Sequence, residues 1–90
     1  MKFTWDPRKA AANLKKHGVS FNEAATAFGD PLALHVEDLA HSERTLLVGM
    51  SERERLLVVV HVELDEETMR IINARRPSPD ERRRYEEGTW

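Results

Sequence analysis

Cysteine is absent from this chain, which excludes disulfides and thiolate metal sites and suits a reducing compartment. No apolar run approaches the roughly 18 residues of a membrane span. The opening Met-Lys-Phe-Thr-Trp-Asp does not read as a signal peptide. A soluble cytoplasmic protein that avoids membranes is therefore expected. The four histidines, His17, His35, His41 and His61, include no i, i+4 pair, and there is no His-Glu-x-x-His, so no metal site is expected. A glycine-rich phosphate loop and a serine nucleophile elbow are also missing. Nothing in the sequence calls for a cofactor. Repeats, linkers and low-complexity segments are lacking too. Ninety residues make one domain, 1–90, able to bury roughly 60–65% of the unfolded surface.

Net charge is small but charge is uneven in place. The net charge is −2, too little for a general nucleic-acid coat. Residues 1–17 carry five basic and one acidic side chain, and residues 68–90 carry six basic and four acidic. The segment between them holds three basic and eleven acidic side chains. If the two ends meet, they form a basic surface on an acidic body, able to attract phosphate. Solvated helix faces would give the same pattern.

What is present centres on Arg55 to Arg76. Leu56 to Leu64 and Thr68 to Arg76, separated by Asp65-Glu66-Glu67, are rich in β-branched residues and read as a β-hairpin. The first strand is apolar on both faces at its start, which places it in the middle of a sheet. An even, four-residue loop keeps apolar residues together and puts His61, Arg70 and Ile72 on one face. By the same parity Arg76, not Arg75, shares that face with Arg70, unless a bulge intervenes.

The remaining elements follow from local signals. Lys2 to Trp5 is a short strand. Asp6 caps a helix that runs from Arg8 to His17, with Ala10, Ala11 and Leu14 inward and Gly18 as its stop. Ser20 to Glu23 is a capping box opening a second helix that ends at Gly29. Leu32 to Glu37 and Arg44 to Met50 are strands, and Pro79 to about Glu87 is a last helix. Gly88-Thr89-Trp90 is a tail. The fold class is α+β: a short N-terminal strand, two helices, a four-stranded antiparallel meander and a C-terminal helix, with helices on one face in two layers.

The chemistry must come from arginines, histidines and the single tyrosine. Arg70 sits among Met69, Ile71 and Ile72, so its head group needs a carboxylate such as Glu43 or Glu63, or a phosphate. His61 serves as a packing residue or a base. Tyr85 packs on the sheet or presents its hydroxyl.

Several runs together resemble the BrnT family of bacterial toxins. They are Phe3-x-Trp5-Asp6, Lys9, Asn13, Lys16-His17-Gly18-Val19-Ser20-Phe21, Ala24 and Phe28-x-Asp30-Pro31. Glu43-Arg44, Gly49, His61, Arg70-Ile71-Ile72-Asn73-Ala74-Arg75 and Glu81-Arg82-x-x-x-Glu86 around Tyr85 continue the match. Two positions depart from it: Asn73 stands where the family usually has serine, and Val62 where it often has threonine.

The resemblance implies a type II toxin with a RelE-like fold that cleaves RNA without a metal. It implies a cognate BrnA-like antitoxin with a ribbon-helix-helix region, and operator DNA bound only through that complex. His61, Arg70, Arg44, Tyr85 and His17 are then the candidate catalytic residues. Lys16, Arg75, Arg76 and Arg82 are the candidates for holding RNA. A metal-independent ribonuclease needs a base for the 2′-hydroxyl, cations for the phosphate and a proton donor, and these types supply them. A non-catalytic protein-binding module and a DNA-binding autoregulator are the alternatives, although no recognition helix is visible for the latter.

Overall fold

Asp6 accepts a hydrogen bond from Arg8 N at 2.8 Å, and Pro7 occupies the first turn, starting helix α1 (Pro7–His17). Gly18, at φ 70°, closes it by donating to the Leu14 carbonyl. In this computed structural model, which describes residues 1–89, α1 follows strand β1 (Lys2–Thr4). Next come α2 (Phe21–Thr26), a 3₁₀ turn at Ala27–Gly29, and strands β2 (Leu34–Glu37), β3 (Thr45–Met50), β4 (Leu56–Glu63) and β5 (Thr68–Arg75). Helix α3 (Pro79–Glu87) is last and carries a complete capping box between Ser78 and Glu81. Trp90, the end of the expected tail, lies outside the described residues. Among the described residues no helix is long and apolar enough to cross a membrane.

The sheet order is β1-β5-β4-β3-β2, so β4 is central, as its apolar double face requires. Strands β2 to β5 form the expected antiparallel meander, and β1 adds parallel to β5, making the sheet mixed. One β4 face, with Leu57 and Val59, packs with Val19, Phe21, Ala24 and Ala27 beneath α1 and α2. The other face, with Leu56 and Val58, joins Val48 and the Tyr85 ring of α3. Thus α3 does not lie with the first two helices. It covers part of the opposite face, because both faces of β4 are apolar and each needs cover.

The hairpin register differs from the expected one. His61 pairs with Ile71 and Val62 with Arg70, so the loop spans three residues, 65–67. Opposite residues share a face, so His61 points toward α1 and α2 while Arg70 points to the other side. Past Ile72 the register slips by one residue, and Val60 faces Asn73 and Val58 faces Arg75. This bulge restores the phase lost at the loop. It also puts Arg75, not Arg76, on the Arg70 face.

Helix α1 turns a different stripe inward than expected. Ala11 and Leu14 are exposed, Leu14 to 51%, while Asn13 is buried at 5% exposure. Asn13 Nδ2 donates to the Val19 and Ala74 carbonyls at 3.0 and 2.8 Å, and its Oδ1 accepts from Ala74 N and Asn73 Nδ2, both at 3.1 Å. Beyond Thr4 the β5 edge has no strand beside it, and this side chain satisfies the backbone there. A second buried polar group, Glu23, ties α2 to the β3–β4 turn. It accepts from Ser51 Oγ at 2.7 Å and from the Arg55 guanidinium instead of returning to its own N-cap, so the expected capping box at Ser20 is only half formed.

Asn13→Ala would strand the Ala74 N–H and carbonyl, and we expect a loss of about 3 kcal/mol. Urea unfolding measures it, and an unchanged midpoint would refute the role of this amide.

Candidate functional site

The half of the sheet face not covered by α3 carries the arginine row. Arg70 stands opposite Val62. Arg44 immediately precedes Thr45, whose partner is His61, so alternation turns Arg44 to the Val62 side. Two strand spacings separate Arg44 from Arg70, about 10 Å between backbones, within reach of two guanidiniums on one phosphate. Both are half-buried, and among the described residues neither side chain has an ion-pair partner. The expected bridges from Arg70 to Glu43 or Glu63 do not form. Val36, Leu46, Val60 and Val62, all half-buried, floor the space beside them.

Arg75 lies further along that face but is engaged. Its guanidinium makes two bonds to the Glu81 carboxylate, at 2.7 and 2.9 Å, which hold the carboxyl below its usual range. Arg76, just past the end of β5, is exposed, and Arg82 is exposed on α3. Tyr85 donates to Asp30 at 2.5 Å; burial, then this bond, pushes its hydroxyl pKa up to about 12. Asp30 also accepts from Met50 N, so Tyr85 fastens α3 to the 3₁₀ turn and β3.

The two candidate histidines are in different settings. His61 is 2% exposed, with its ring edge-on to Phe28 at 4.8 Å and its Nδ1 3.2 Å from the Val59 carbonyl. Burial lowers its pKa first, and nearby His35 lowers it further. His17 instead opens at the end of α1 into a groove of about 190 Å³ lined with Lys9, Ala12, Asn13, Lys16, Ile72 and Asn73. The structure therefore groups His17 with Lys16 and Arg44 with Arg70. It separates His61, Tyr85, Arg76 and Arg82 from both groups.

Reading the residues alone missed Asn13 and gave Asn73 no site role. Asn13 is three residues after Ala10 and four before His17, and a lone amide inside such a stripe was the available signal. Among the described residues no cluster of three His, Cys, Asp or Glu could hold a metal ion.

The family described as the ribonuclease toxin BrnT of type II toxin–antitoxin systems matches residues 5–81. A crystal structure of the Brucella abortus ribonuclease toxin BrnT is 22% identical and superposes with a TM-score of 0.71, covering 87% of this chain and 97% of that one. That likeness establishes the shared fold. No curated protein matches the chain.

His61 gives stability a sign with pH. Its folded pKa lies below the ordinary 6.5, so the unfolded chain binds the proton more readily. Stability from this group is full above about 6.5 and falls as pH drops toward the lowered folded value. Urea midpoints between about pH 5 and 7.5 should show this slope, and His61→Gln should flatten it. An equal slope in both proteins would contradict the assignment.

Proposed function

Since the chain belongs to the BrnT family of ribonuclease toxins of type II toxin–antitoxin systems, we propose that it cleaves RNA without a metal at the face described above. The observation that carries this reading is that β5 serves two groups at once. Arg70 faces the open sheet, and Ile72 and Asn73, starting about 7 Å further along the strand, wall the groove of His17 and Lys16.

In this reading Arg44 and Arg70 hold the scissile phosphate. His17, whose imidazole nitrogen can accept a proton, takes the proton of the 2′-hydroxyl. The 2′-oxygen attacks phosphorus, the bond from phosphorus to the 5′-oxygen breaks, and the leaving oxygen takes a proton from the Lys16 ammonium. A 2′,3′-cyclic phosphate remains. Cations fixed where negative charge develops lower the barrier without reorganising. His61 has no part in this scheme, because a 2% exposed ring against Phe28 cannot meet a substrate hydroxyl. Tyr85, with its hydroxyl bound to Asp30, holds the fold. Arg76 and Arg82 are exposed cations that track the RNA backbone, and Arg75 anchors α3.

The partner is a BrnA-like antitoxin of the ribbon-helix-helix kind. An acidic segment of it covers the unpaired arginines and the half-buried valines beside them, ordering as it binds. Operator DNA is bound only through that complex, and the toxin acts on RNA in the cytoplasm, arresting translation and growth.

Arg70→Ala should lower cleavage about a hundred- to a thousandfold, or roughly 2.7–4 kcal/mol, while the folded variant still co-purifies with the antitoxin. Expression with and without the adjacent small reading frame reads toxicity. Cleavage of a labelled RNA should survive EDTA and leave cyclic phosphate ends. Full toxicity of Arg70→Ala and His17→Ala together, or cleavage stopped by chelation, would overturn the mechanism. Harmless expression of the chain alone would favour a protein-binding module that performs no catalysis.

A further inference from the structure

The groove between α1 and β5 has more polar equipment than the two proton transfers of His17 and Lys16 need. Lys9, Lys16 and His17 rise on its helix side, Ile72 and Asn73 on its strand side, and no carboxylate lines it. Asn13 at the junction is fully used: both donors and its acceptor oxygen go to Val19, Ala74 and Asn73.

That circuit decides which way the second amide faces. Asn13 must turn its nitrogen to two carbonyls and its oxygen to the Ala74 N–H. The atom of Asn73 that meets this oxygen must therefore be its nitrogen. Asn73 is left with Oδ1 and one amide hydrogen uncommitted among the described residues. It is half-buried beside two ammonium groups and an apolar isoleucine. A locked amide acceptor between cations is an arrangement for reading a planar ligand.

We propose that this groove is a nucleobase subsite beside the scissile phosphate, and that Asn73 selects guanine there. Guanine is the base that offers two acceptors, O6 and N7, on one edge and donors, N1–H and the 2-amino group, on the next. Lys9, which the cleavage scheme does not use, matches both acceptors, and Asn73 Oδ1 takes the donors. Adenine and cytosine would point an exocyclic amine at an ammonium, and uracil has no amine for Asn73. Ile72 gives the ring an apolar surface. About 190 Å³ falls below the roughly 300 Å³ of sites that enclose a drug-sized ligand, leaving room for one base. The inference rests on the RNA-cleaving reading above and names what that site prefers.

The test is binding to RNA that cannot be cut. Fluorescence anisotropy would compare 2′-fluoro uridine hexamers carrying one internal guanine, adenine, cytosine, inosine or uracil. Wild-type chain should bind the guanine hexamer about tenfold tighter than the others, in line with the value of a good base contact. Inosine, lacking the 2-amino group, should lose most of that gain. Asn73→Ala should bind all five within about twofold.

Equal binding of all five by the wild type, or a guanine preference intact in Asn73→Ala, would overturn the proposal. If that variant fails to fold, guanine against inosine on the wild type decides alone, and equal binding refutes the subsite. Catalysis plays no part in this assay. Guanine-selective binding by a chain that cuts no RNA keeps the subsite and removes the ribonuclease reading. Cleavage without base preference does the reverse.

Discussion

The fold depends on one carboxamide. A three-residue β1 leaves the far end of β5 without a neighbour strand, and an open sheet edge carries unpaired N–H and C=O groups. Asn13 acts as that missing neighbour for a single residue, bonding both backbone groups of Ala74 from the side of a helix. Its other donor hydrogen holds the Val19 carbonyl and so fixes the turn between α1 and α2. Helix, turn and strand share one buried group. An apolar residue of the same volume could fill the space but could not satisfy these partners.

Around that joint the sheet divides its labour by face. The face under α1 and α2 is closed, and there even a histidine is packed as a ring among rings. The other face is closed only where the Tyr85 ring covers it, and Asp30 and Glu81 fasten α3 at two points. The remainder is a patch of valines edged by arginines. A partly covered sheet of this kind gives a rigid floor from which guanidinium forks of fixed shape project.

Element order, caps and the central place of β4 could be read from the sequence because each has a local cause. Proline at a helix start, glycine at a helix end and a strand apolar on both faces all act within a few residues. The face on which Arg70 lies could not be read, for a specific reason. Ile71 and Ile72 are adjacent and both apolar, so alternation through them fits either phase and conceals the bulge that absorbs one residue. Asn13 was obscured for a different reason. Its partner Ala74 is 61 residues away, so the lone amide in the helix stripe could mark a buried polar group but not name what it bonds. The candidate site suffers from both effects, since it is assembled where α1 meets the bulged half of β5.

That assembly has a consequence for how the chain is made. Lys9, Lys16 and His17 are synthesised well before Ile72 and Asn73. The β3–β4–β5 meander closes through short loops, but the groove needs the first helix brought back to the last strand. Until β5 has been made, that histidine and those lysines have no second wall beside them. The groove therefore has both of its walls only once β5 has been made and folded back against α1.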